Sequence, residues 1–299
     1  MKSLLKKIIP LKNRRKIKSS LSVIKMRALD LCLKSNYLTK LYYTFFNHFY
    51  TYEQKATLSG KVAFIKMIKT DRASSPQLRR NIHRLEKGLI MRPRRDVFGE
   101  AFILDTVDLF SVALVSNKTS KEELQWAIDV LHEYFSIVSD TPIIKQARCS
   151  YLKAIEDITL PATNKKPYVR KDNMTNTVSI EQLHGLFQQR RSVRWYKDKP
   201  IEDSLINQSI MLASTAPSAC NRQPFEFLVI NEGKQAKEVT ALAAGTAGFS
   251  QQVPCVILVI GDLSCYPTEA DKNVIYIDSS LASMQLMLAF ETLGLGSCP

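Results

Sequence analysis

The chain has 299 residues, 45% of them hydrophobic and 9% aromatic, with a formal net charge of +14. This composition excludes a disordered or fibrous protein and allows one large domain or two ordinary ones. The charge is uneven: residues 1–100 hold 24 Lys+Arg against 6 Asp+Glu, a net of +18, leaving 18 against 22, a net of −4, for the remainder. Six scattered cysteines with no Cys-x-x-Cys pair read as reduced thiols in a cytoplasmic protein, and four dispersed histidines leave no pattern for a zinc site.

In chain order, residues 1–20 are a basic tail whose start, Met1 to Lys18, mixes Leu and Ile with Lys and Arg around Pro10. Its apolar runs are too short for a signal-peptide core. Two readings stand: a peripheral contact with an anionic membrane surface at the inner face of the membrane, or a frayed basic terminus. No helix-turn-helix, zinc-finger or aromatic RNA-binding signature accompanies the charge, which argues against nucleic acid.

Residues 21–160 have helical periodicity nearly throughout, as in Leu124, Ile128, Leu131 and Phe135. The cluster Tyr42, Tyr43, Phe45, Phe46, Phe49 and Tyr50 is expected to be a core seam rather than a lipid-facing surface or ligand box. His83 and Glu86, three apart, share a helix face, either as an acid-base pair or as an ordinary helical hydrogen bond, with Gly88 expected as the C-cap. Residues 161–176, rich in Pro and Asn, are the expected linker and domain boundary.

Residues 177–299 change to mixed α and β. Helices are expected over Ile180–Gln189, Pro200–Ala213, Glu232–Ala244 and Ile277–Leu293, the last ended by Gly294, with strands over Phe225–Ile230 and Val253–Ile260. Between the first two helices stands Arg190-Arg191-Ser192-Val193-Arg194, whose guanidiniums and hydroxyl suit a phosphate dianion. After the second comes Pro217-Ser218-Ala219-Cys220-Asn221-Arg222-Gln223-Pro224, a turn whose amides suit the polar edge of a heteroaromatic ring.

The order and spacing of these two segments resemble the flavin-binding signature of the nitroreductase family, and the stretch from Asp278 to Ala282 through Gly294 to Cys298 resembles that family's long central helix and the turn after it. The resemblance covers about two fifths of the chain and implies an α+β fold, with a central, mainly antiparallel sheet flanked by helices, here preceded by an all-α region. It implies FMN at the interface of a homodimer. Arg190 and Ser192 would hold its phosphate, Arg191 beside them belongs to the same cofactor site, and Arg194 would lie toward the ribityl chain and pyrimidine edge. Pro217, Ser218 and Ala219 would pass the ring from the partner chain, with Asn221 and Gln223 fixing that loop, and Met284 and Met287 would pack in the dimer core. The implied chemistry is ping-pong: NAD(P)H gives hydride to the flavin, and an electron-poor small molecule then takes the electrons, with no dedicated catalytic acid and no metal.

His83-Arg84-Leu85-Glu86-Lys87-Gly88 also resembles a segment of the N-terminal extension found in a subset of that family, which suggests a surface-polysaccharide context. Family members continue beyond the point where this sequence stops. The expectation is therefore a C-terminally truncated or diverged form, with uncovered apolar surface and weak stability. The competing reading is a non-catalytic flavin-fold scaffold that docks to a membrane or protein partner.

Overall fold

The computed structural model describes residues 11–68, 75–116, 118–156, 158, 163–170 and 176–299. Residues 1–10 of the basic tail, and residues 161–162 and 171–175 of the expected linker, lie outside the described residues. The chain divides into two compact units, Met1–Thr57 and Leu58–Pro299.

In the first unit, α1 (Leu11–Leu33) and α2 (Asn36–Phe45) are joined by a short turn, and α3 (Thr51–Lys66) begins before the boundary. Ser35 caps α2 by accepting from the Tyr37 N–H at 3.2 Å, and the Thr39 hydroxyl donates to the Cys32 carbonyl at 2.8 Å. The aromatic cluster does not form a core. No residue of α2 is buried, and Phe45, Phe46, Phe49 and Tyr50 are all exposed. The rings pack on one another at a surface elbow, so their spacing reflects mutual contact rather than burial.

In the second unit, four helices enclose the main core: α4 (Ser75–Leu89), α5 (Glu100–Val115), α6 (Lys121–Ile137) and α7 (Pro142–Ile155). Leu78, Ile82, Leu85, Ile103, Phe110, Leu131 and Tyr151 meet inside it. Ser120 and Thr141 accept from the amides of Glu123 and Ile144 to cap α6 and α7, and Pro142 sits at the start of α7, where its missing N–H costs nothing. Buried Tyr134 donates to the Phe98 carbonyl at 2.7 Å, while burial raises the Tyr151 phenol to about 12.

Gly88 does not cap α4, which continues to Leu89. A Cβ at Gly88 would stand 2.3 Å from the Phe98 ring, so glycine is required by close packing rather than by a turn.

The remaining elements are α8 (Ile180–Gln189), α9 (Asp203–Ala213), β1 (Phe225–Ile230), α10 (Gly233–Thr240), β2 (Val256–Gly261) and α11 (Val274–Thr292). The two strands pair antiparallel, from Phe225 opposite Gly261 to Ile230 opposite Val256, and helices α9 and α8 pack along α11. This is the expected α+β class: an antiparallel sheet flanked by helices, preceded by an all-α region. Small shifts have local causes. β2 starts after Pro254, which has no N–H to donate to a ladder. α11 starts three residues before Ile277 because Val274 and Ile275 pack on Cys265 and Tyr266.

Candidate functional site

The arginine segment begins where α8 ends. Ser179 and Gln182 form a capping box at the helix start, and Arg190 leaves the helical conformation at its end, with its N–H still donating to the Leu186 carbonyl at 3.1 Å. The extended chain then runs beside the C-terminal turn: Val193 N–H donates to the Ser297 carbonyl at 3.0 Å, and Ser192 lies across a parallel bridge from Ser297. A Cβ on Gly296 would meet Val193 at 2.9 Å, so a glycine there lets the two backbones close up. Arg191, Ser192 and Arg194 are exposed. Arg191 spends one guanidinium nitrogen on the Arg190 and Phe187 carbonyls, and Arg194 stands over the Phe249 ring at 5.9 Å. Beside them the Ser297 hydroxyl is buried and has no hydrogen-bond partner among the described residues. Tyr196 donates to the Val193 carbonyl at 2.5 Å and braces the segment from below; burial raises its phenol to about 12.

The second segment leaves α9 and forms a single 3-10 turn, Ala219–Asn221. Cys220, Asn221 and Gln223 hold φ of 56°, 51° and 48°, left-handed values on both sides of a right-handed Arg222, which non-glycine residues adopt uncommonly. The surroundings here are specific. Asp278, 3% exposed in the first turns of α11, accepts from the Ser218 hydroxyl at 2.7 Å and the Ala219 N–H at 3.0 Å. The same hydroxyl accepts from the Gln223 N–H at 2.8 Å, and the Gln223 amide donates to Asn221 Oδ1 at 3.2 Å. Pro217, Ala219, Asn221 and Gln223 remain exposed on this pinned loop.

The helical region holds the loop from the other side. Arg79 of α4 donates to the Arg222 carbonyl at 2.9 Å and pairs with buried Glu123 of α6 at 2.6 Å. Arg222 itself is 4% exposed, paired with Asp271 at 3.2 Å and stacked near the Tyr266 ring at 5.1 Å. Asn221 and Gln223 form one wall of a cleft of about 690 Å³ whose opposite walls include Glu86, Trp126 and Tyr168. Glu86 makes the helical contact with His83 at 3.3 Å and also accepts from the Trp126 indole at 2.8 Å, so its carboxylate is already engaged.

Sequence reasoning missed Asp278, Arg79 and the buried state of Arg222. Asp278 carries a signal in retrospect, as an acidic residue near the start of a mainly apolar helix, Val274–Thr292. Arg79 carries none, because its partners lie 44 and 143 residues away. Among the described residues no hydrogen bond joins the 190–194 segment to the 217–223 loop, and no group of His, Cys, Asp and Glu stands at metal-binding geometry.

Residues 187–254 match the model of the nitroreductase family. The chain is 32% identical over 123 residues to a protein of Archaeoglobus fulgidus named for an inferred NADH dehydrogenase or NAD(P)H nitroreductase activity, covering 40% of this chain and 66% of that one. It is 27% identical over 124 residues to the FMN reductase [NAD(P)H] of Bacillus subtilis, covering 36% of this chain and 49% of that one. Among solved structures, an FMN-dependent nitroreductase of Clostridium difficile R20291 is 29% identical with a TM-score of 0.33, over 38% of this chain and 64% of that chain. The chain thus spans between about half and two thirds of the length of these relatives.

Proposed function

Because its C-terminal part belongs to the nitroreductase family, we propose that this protein binds FMN and acts as an NAD(P)H-dependent oxidoreductase on an electron-poor small molecule. The observation that carries the reading is the strained loop 218–223, held by buried Asp278 on one side and Arg79 on the other while its outer residues stay exposed. Strain of about 1–3 kcal/mol per residue persists where a fixed surface is needed.

The residues present suit the cofactor. Arg190, Arg191, Arg194 and Ser192 form a cationic donor set of the kind a phosphate takes, and the buried unpaired Ser297 hydroxyl beside them is a further donor. In this reading Arg190, Arg191 and Ser192 hold the phosphate, and Arg194 brings positive charge to the pyrimidine edge. Pro217, Ser218 and Ala219 line the ring, and Asn221 and Gln223 keep that wall in place. Bound FMN supplies two-electron chemistry, so the protein's task is to bind, orient and shield rather than to provide an acid. The cleft beside Asn221 and Gln223 has the volume of a small-molecule site.

A homodimer fits two further facts. The two segments do not meet through hydrogen bonds within one chain, and Ile277, Leu281 and Met284 form an exposed apolar stripe on α11 that a second copy would cover. The six free thiols fit a cytoplasmic location, the basic N-terminal segment fits peripheral contact with an anionic membrane, and the His83–Gly88 segment fits a surface-polysaccharide context. No described helix is long and apolar enough to cross a membrane.

The activity is tested by steady-state kinetics with NADH or NADPH against a nitroaromatic and a quinone. Parallel double-reciprocal lines are expected for the ping-pong order. No turnover by FMN-loaded protein with either donor would overturn the enzymatic reading in favour of the scaffold.

A further inference from the structure

The surface elbow of the first unit has a composition and a form that the oxidoreductase reading does not use. Between α2 and α3 the chain turns on Asn47, whose side chain accepts from the Phe49 N–H at 3.0 Å, while Thr51 N–H donates to the His48 carbonyl at 3.1 Å. The turn is therefore built, and it presents aromatic rings outward. Phe46 and Phe49 are 80% and 82% exposed, and Phe45 and Tyr52 beside them in the chain are exposed too. The rings brace one another: Tyr43 stands edge-on to Tyr50 at 5.1 Å and Phe49 edge-on to Tyr50 at 5.7 Å.

So many exposed rings on one short elbow call for a covering partner. Charge selects its kind. Met1–Thr57 carries 13 Lys and Arg against 2 Asp and Glu, so a second copy of this unit would be repelled and an anionic surface attracted. On α2 itself, Lys40 shares the exposed face of Tyr37 three residues earlier. Phenylalanines that enter the acyl boundary, tyrosines at the headgroup level and surrounding lysines are what an interfacial lipid contact requires, and no described helix is able to span.

We infer that the aromatic elbow Phe45–Tyr52 is an insertion wedge that seats the protein on an anionic lipid surface. This deepens the peripheral-contact reading, which rests on the basic and apolar residues of the tail, by adding a second, aromatic insertion that charge cannot replace.

The test is co-sedimentation of the full chain with phosphatidylcholine vesicles, with and without phosphatidylserine at a third of the lipid. Phe46→Ser/Phe49→Ser is compared with Phe46→Leu/Phe49→Leu. The expected result is salt-sensitive binding to the phosphatidylserine vesicles, weakened about tenfold or more in the Ser pair and retained in the Leu pair, with unchanged circular dichroism because both rings are exposed. Salt-sensitive binding indifferent to the Ser pair overturns the wedge and leaves docking by charge. Absence of binding at low salt overturns both. Loss of self-association or of oligonucleotide binding in the Ser pair, without loss of vesicle binding, assigns the elbow to a different partner and overturns the inference.

Discussion

The four-helix region from α4 to α7 and the α+β region from α8 to α11 are held together by different means. In the first, a continuous apolar core includes Ile82, Ile103, Phe110 and Tyr151, all 1% exposed or less. In the second, the buried cluster is small, Cys265, Tyr266 and Ile275, and the joints are polar: Asp278 to the 218–219 turn, Arg222 to Asp271, Asn231 to Ile201 and Asp203. The helical region has its own continuous core, whereas the α+β region has a small one and fixes its loops through hydrogen bonds. The lesson is a division of labour, in which a well-packed helical block supplies Arg79 as a clamp on a loop that belongs to the other region.

Substitutions should separate the two kinds of region. Phe110→Ala, in the full core, is expected to lose about 3–5 kcal/mol in urea unfolding, against less than about 1 kcal/mol for Leu242→Ala, 86% exposed just after α10. Equal losses at both sites would erase the contrast. Arg79→Ala removes a charge-assisted contact from buried Glu123 and the side-chain donor from the Arg222 carbonyl, so about 1–3 kcal/mol should be lost, with faster hydrogen exchange at residues 219–223. If exchange there is unchanged, the clamp is not acting on the loop.

Asp278→Asn keeps the volume but cannot accept from both Ser218 and Ala219 with equal strength. A loss of about 1–3 kcal/mol and weaker FMN retention are expected, read by thermal unfolding and by desalting. The smallest effect concerns Asp129 of α6. Burial opposes its charge, but donors from Thr163, the Lys165 N–H and Gln125 outweigh that and lower its carboxyl below the ordinary value. A lowered folded value means the contribution is complete above the unfolded value and is lost as pH falls through the folded one. Residues 163–166 should therefore become more sensitive to protease on acidification, and Asp129→Asn should show that sensitivity already at neutral pH with little further change.

How much of this was legible in the sequence follows the range of the interactions. The bounds of α8 and β1 were readable because local signals set them: Ser179 with Gln182 at one, a short apolar run bounded by Pro224 and Asn231 at the other. The two candidate segments could be proposed from the sequence because guanidiniums and turn amides announce their chemistry in consecutive residues. The aromatic elbow misled because spacing that suits a core also suits a surface array, and only the fold distinguishes them. Gly88 misled in the same way, since a glycine near a helix end reads as a cap until Phe98 is seen against it. Arg79 and Asp278 were out of reach as loop anchors because their partners are remote in sequence.

The central claim is that the 190–194 segment and the pinned loop hold FMN. It is tested most directly by the visible absorbance of purified protein after FMN addition and desalting, compared with Arg190→Ala/Arg194→Ala. The account predicts retained flavin absorbance in the parent protein and its loss in the double variant, with both equally folded by circular dichroism. Flavin retained equally by both would contradict the assignment of the arginines, and flavin retained by neither would contradict the cofactor site itself.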